Sequence, residues 1–161
     1  MKPFTESLKK KIAEYRKNHL DISSLIEDID IRNQDLSYCI IKYFRRINSD
    51  ISNCNFAHCI LGDETRNKVF SILNSKMNNC NLNGVKFVGP TFIRYSELKN
   101  CNIRNADVAN VDYQYTDFTG SDFCNSKITI STTLGLGCKF PAKLLYDLTQ
   151  GWNLKIKVEE Q

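Results

Sequence analysis

Cut into fives, residues 101–125 read CNIRN ADVAN VDYQY TDFTG SDFCN. Each block has an apolar residue at its middle: Ile103, Val108, Tyr113, Phe118 and Phe123. A small or slender residue opens each, and the second place carries Asn102, Asp107, Asp112, Asp117 and Asp122. A period of five fits neither the 3.6 of a helix nor the 2 of a plain strand. The same beat runs through Ile31, Leu36 and Ile41, then Ile51, Phe56 and Leu61, then Met77, Leu82, Phe87 and Phe92, and from Leu98 to Ile128. One block buries two side chains and exposes three, so no block is stable alone and stacking must supply the core. Burying each large central residue contributes roughly 1.5–3 kcal/mol, so a long stack of them offsets much of the ordering entropy.

These blocks resemble the pentapeptide-repeat family, whose repeats favour Ala, Cys or Ser, then Asp or Asn, then Leu or Phe, then two variable residues. The resemblance covers residues 29–133 approximately. It implies an all-β solenoid, a right-handed four-sided parallel β-helix with one block per side and four blocks per coil. About five coils make a column roughly 25 Å tall at strand spacing. The chain then divides, within one structural unit, into an N-terminal capping helix over 1–20, the β-helix over 21–135, and a C-terminal helix plus strand over 136–161.

Four blocks per coil put residues about twenty apart above one another. Cys39, Cys59, Cys80 and Cys101 all open blocks, at spacings of 20, 21 and 21, and read as one inward column. Their sulfurs spread over about 14 Å, too far to converge on a zinc ion, so they serve as small buried apolar groups. Cys124 and Cys138 fall outside the inward slots. Asp107, Asp112, Asp117 and Asp122 each belong to a different side, a ring that suits winding and solubility better than a binding strip.

The beat fails where Arg46 and Arg66 stand in central slots. An unpaired guanidinium in a dry coil is costly, so the backbone is expected to bulge and turn both outward. The stretches 42–48 and 62–70 then form one paired excursion. It presents Lys42, Arg45, Arg46, Arg66 and Lys68 as a candidate partner-binding site, or as a solvated bulge.

At the front, Phe4, Leu8, Ile12 and Tyr15 share a helical face and Thr5 stands at its start, a helix suited to covering the first coil. At the back, Trp152, Leu154, Ile156 and Val158 alternate with polar residues. That strand either folds back on the last coil or pairs with a second copy as a homodimer. The chain's start has no apolar run of a secretion signal and no stretch long enough to span a bilayer, so a cytoplasmic protein without a membrane partner is expected.

The net charge of +4 is concentrated in the first twenty residues, whereas residues 49–130 carry eight basic and eight acidic side chains. This is not the profile of a dedicated nucleic-acid binder. The two histidines, His19 and His58, have no partner at ligand or triad spacing, and no metal, cofactor or catalytic motif is found. The expectation is a non-catalytic scaffold for an unknown protein partner. The resemblance implies one alternative, since some members of the family interact with type II topoisomerases such as DNA gyrase by imitating the shape and negative charge of DNA. The neutral-to-basic charge here departs from that pattern.

Overall fold

The structure is a computed structural model that describes residues 1–65, 69–128, 136–142 and 144. Helix α1 runs Glu6–Lys17 and a single turn, α2, runs Ser23–Ile26. The strands are short: β1 Ile40–Ile41, β2 Phe44–Ile47, β3 Ile60–Gly62, β4 Phe70–Leu73, β5 Lys86–Val88, β6 Thr91–Arg94, β7 Asp107–Val108, β8 Val111–Asp112 and β9 Lys127–Ile128. They form two parallel sheets, ordered β1-β3-β5-β7-β9 and β2-β4-β6-β8.

Two further sides are held by parallel bridges alone. One joins Asp50, Lys76, Glu97, Asp117 and Lys139; the other joins Asp35, Asn55, Asn81, Asn102 and Asp122. In chain order we call the Asp50 row side one, the Asp35 row side two, the β1 sheet side three and the β2 sheet side four. The fold is a parallel β-helix with a central residue from each side filling the interior. Ile51, Phe56, Leu61 and Ile72 are all fully buried at one level.

The acidic beat has a local cause. Asp or Asn in the second slot accepts a hydrogen bond from the amide two residues on: Ser37 to Asp35 at 3.1 Å, Ala57 to Asn55 at 3.1 Å, Thr119 to Asp117 at 3.0 Å and Cys124 to Asp122 at 3.0 Å. These Asx turns bend the chain round each corner. The fifth slot completes the bend in the left-handed region, where twelve non-glycine repeat residues lie among the described residues and eight of them are Asn. Amides then stack between levels, Asn102 donating to Asn81, Asn81 to Asn55 and Asn55 to Asp35 at 2.9–3.1 Å.

Two corrections follow from register. Leu61 pairs with Phe87, twenty-six positions on, so six extra residues enter between β3 and β4. They shift every later block by one side. Cys80 and Cys101 therefore stack on Cys54, whose amide donates to the Cys80 sulfur at 3.4 Å. Cys39 and Cys59 form a separate column whose next openers are Val85 and Ala106. The second correction concerns Phe92. Thr91 and Ile93 point inward, while Phe92 and Arg94 point outward. The extra residue lies at Gly89–Pro90. Gly62 and Gly89 take φ of +102° and +69°, and a Cβ on either would meet Val88 O at 2.0 Å or Asp63 O at 2.1 Å. Only glycine lets these two turns touch backbone to backbone.

Cys138 is also inward. It precedes Lys139, which bridges to Asp117, and its thiol donates to Tyr113 O at 2.7 Å. Burial pushes that thiol up from its ordinary value, which argues against reactivity there.

The N-terminal edge of the stack meets a different group on each side. Lys2 bridges Ile29 on side one, its amide donating to Asp28 O at 2.7 Å. Arg16 of α1 donates to Asp35 O at 2.9 Å on side two. The Ile22 amide donates to Ile40 O at 3.0 Å on side three. Helix α1 starts on Thr5, whose hydroxyl accepts from the Leu8 amide at 3.2 Å, and it buries Ile12 with Phe4, Leu8 and Tyr15 against the core. The alternating C-terminal segment, with Trp152, Leu154, Ile156 and Val158, lies outside the described residues.

Candidate partner-binding site

Side four is where the edge is closed by Arg46. Its slot is the central one, and the expectation that it leaves the coil is overturned: Arg46 is 5% exposed. The guanidinium donates to Ile26 O at 2.7 Å, Ile29 O at 3.2 Å, Arg45 O at 3.3 Å and Glu27 O, and it lies 4.5 Å from the Phe44 ring centre. The physical reason is the turn α2, which replaces a strand at the level above. Its end leaves Glu27 O and Ile29 O without a backbone donor among the described residues and Ile26 O with only a long bond from the Ile29 amide at 3.3 Å, and one guanidinium answers all three. Burial pulls the Arg46 pKa below its ordinary value, against the pull of Asp28, Glu27 and Asp30, and an arginine stays charged throughout. Arg46 is thus removed from the surface available to a partner.

The other sequence candidates do not converge. The stretch 42–48 is no bulge: β2 pairs in register with β4 from Phe44↔Phe70 to Ile47↔Leu73. Lys42 is exposed on side three, 4.0 Å from the Asp63 carboxylate. Arg45 is exposed on side four and has no ion pair among the described residues. Arg66 and Lys68 lie outside the described residues.

What the structure does bring together is a contrast between sides. On side two the second slot is Asp or Asn at every level. On sides three and four, from β1 to β6, it is Ile40, Arg45, Ile60, Ser71, Lys86 and Phe92. None of these can make the Asx turn, and several are apolar yet outward. Ile60 is 40% exposed, Ile47 43% and Tyr38 61%. Tyr38 stacks on His58 at 4.8 Å beside the Ile40–Ile60 pair. Phe92 carries the Arg94 guanidinium 5.1 Å from its ring, and Arg94 bonds Asp112. Lys86 has no ion pair among the described residues. Sides three and four thus set outward apolar groups beside the unpaired cations Arg45 and Lys86. The signal was available in the sequence, since these positions depart from the second-slot rule, but it could be read only once the register was known.

At the N-terminal end of side four, β2 borders a cleft of about 340 Å³ lined by Met1, Glu27, Asp28, Arg45, Ile47 and Ser49, among others.

The ring of carboxylates behaves as expected from the repeat, one to a side, and each is paired. Asp107 meets Lys127 at 3.4 Å, Asp117 meets Lys99 at 3.4 Å, Asp122 meets Arg104 at 3.8 Å, and Asp112 holds Arg94.

The family model for pentapeptide repeats matches residues 96–129, with eight copies. That segment therefore consists of pentapeptide repeats. Three solved structures are among those similar to this chain. A pentapeptide repeat protein from the Arabidopsis thaliana thylakoid lumen is 14% identical over 62% of this chain and 61% of its own, with a TM-score of 0.28. QnrB1, a plasmid-mediated fluoroquinolone resistance protein, is 13% identical over 76% and 67%, with a TM-score of 0.38. HetL, involved in heterocyst differentiation regulation in the cyanobacterium Nostoc sp. strain PCC 7120, is 12% identical over 86% and 80%, with a TM-score of 0.27. No curated protein matches. Among the described residues, no helix is long and apolar enough to cross a membrane.

Proposed function

We propose that this pentapeptide-repeat protein is a non-catalytic scaffold that holds a protein partner on sides three and four, between β1 and β6. The observation that supports this reading is the row of outward residues that break the second-slot rule, Ile40, Arg45, Ile60, Lys86 and Phe92, on a scaffold whose side two keeps it. Lys42 and Arg45 remain in the proposed site and Arg46 supports it from beneath. The free cations favour a partner with carboxylates set among apolar groups. DNA mimicry toward gyrase draws no support from the surface charge, because the carboxylates of the regular ring are each neutralised by a neighbouring cation.

A photo-crosslinking amino acid placed at Ile60 or Arg45 tests the reading in extracts of the native host. A discrete adduct is expected from those two positions, lost when Lys86→Glu is added, and none from Asn83 or Arg104 on side two. Equal labelling from both sides, or from neither, removes the proposal. The same adduct, identified by mass, reports whether a gyrase subunit is the partner.

A further inference from the structure

Strand β2 is the N-terminal edge of its sheet, with β4 as its only sheet neighbour. Its hydrogen bonds have a direction. The amides of Phe44 and Asn48 donate toward β4, to Val69 O at 3.4 Å and Leu73 O at 3.1 Å. Alternation along a parallel strand sends the amides of Arg45 and Ile47 the other way, out of the edge. Opposite them stands α2 rather than a strand, and among the described residues neither amide has a partner.

The acceptors of the same edge are already engaged. Arg45 O takes the Arg46 guanidinium at 3.3 Å and Ile47 O takes the Ser49 hydroxyl at 2.9 Å. Just before the strand, the Tyr43 amide donates to the Ser23 hydroxyl at 2.9 Å. The edge therefore offers two free donors beside acceptors that each already hold one bond. Its two free amides stand about 6.6 Å apart, the spacing of alternate carbonyls on an extended chain. Arg45 and Ile47 line the cleft together with Glu27 and Asp28, both exposed and without an ion pair among the described residues.

We infer that β2 is a strand-addition site: an extended segment of a partner protein lies in the cleft, two of its backbone carbonyls accept from Arg45 N–H and Ile47 N–H, and a Lys or Arg side chain beside them meets Glu27 and Asp28. The inference rests on the proposed partner-binding role and specifies how one segment of that partner is held. Main-chain bonds supply the grip of such a site and the flanking charges supply its selectivity. Ile47, 43% exposed, extends the cleft onto side four, so the segment enters from the partner-binding face.

The probe is a blocked hexapeptide alternating lysine and valine, titrated into the full-length ¹⁵N-labelled protein, with its glutamate–valine counterpart as control. The lysine peptide is expected to shift the Arg45 and Ile47 amides saturably, to slow their hydrogen exchange at least ten-fold, and to bind at least ten-fold more tightly than the glutamate peptide. Ile47→Pro removes one outward donor and no ladder bond, so it should keep the melting temperature and weaken the lysine peptide at least ten-fold. Should that variant fail to fold, Glu27→Lys with Asp28→Lys is expected to reverse the preference between peptides. Slow exchange of both amides in the free protein, or equal affinity for both peptides, overturns the inference. So do shifts centred on Ile60 and Lys86 instead of β2, but that outcome leaves the partner-binding face standing; loss of the side-three crosslink with β2 shifts intact removes the face alone.

Discussion

Residues 96–128 and residues 40–94 wind round the same four sides and solve their corners differently. In the later stretch every second slot is Glu, Asp, Asn or Lys, each carboxylate there finds a cation, and no residue is inserted. In the earlier one, a six-residue insertion, a Gly–Pro turn and a buried arginine interrupt the winding, and the outward slots of two sides turn apolar or cationic. The regular stretch is what the repeat looks like when only stacking matters. The irregular stretch keeps the buried columns intact and changes what faces outward, which is how a rigid scaffold acquires a specific surface without losing its core.

Substitutions that break the comparison should fall in a definite order. Phe118 is 4% exposed and stacks on Phe140 at 5.6 Å, so Phe118→Ala in the regular stretch should cost about 3–5 kcal/mol in a denaturant titration. Arg46→Met fits the slot but abandons the carbonyls of Ile26, Glu27 and Ile29, and should cost about 2–3 kcal/mol. A stability gain for that variant would mean that the guanidinium is a burden rather than a closure of the edge. Asn81→Ala loses its bonds to Asn55 and from Asn102 together with its Asx turn to Asn83, and about 1–2 kcal/mol is expected.

Acid sharpens the comparison further. The Ser52 hydroxyl and amide hold the Asp50 carboxyl below its ordinary 3.8, and the Arg32 guanidinium does the same for Asp30. A carboxyl whose folded pKa is depressed contributes stability above its unfolded value and loses it as pH falls through the lower one. The melting temperature should therefore be level from pH 7 down to about 4.5 and decline below about pH 4, by a modest amount because these groups are solvent-screened. Asp50→Asn should flatten part of that decline.

Much of the scaffold was legible from residue order alone: the period, the inward centres, the ring of one aspartate per side, and the helix face of Phe4, Leu8, Ile12 and Tyr15. The failures share a cause. Where an insertion falls inside a repeat, the phase beyond it cannot be recovered from spacing, so spacing alone puts Cys80 and Cys101 in the wrong column and turns Phe92 inward in place of Ile93. Arg46 failed for another reason. A guanidinium in a dry interior is costly, but the carbonyls that offset it come from Ile26, Glu27 and Ile29, far back in the chain, and nothing local announces them. The proposed partner surface on side three is not legible in the sequence because Ile40, Ile60 and Lys86 become neighbours only once β1, β3 and β5 are in register.

The most direct test of the division between scaffold and surface returns the irregular outward slots to the repeat's own preference: Arg45→Asn, Ile60→Asn, Lys86→Asp and Phe92→Asn in one chain. The account predicts a fold within about 1 kcal/mol of the parent, since lost strand preference is offset by new Asx turns, together with loss of the crosslinked adduct from a probe at Ile40. A chain that unfolds, or one that keeps its stability and its adduct, would contradict it.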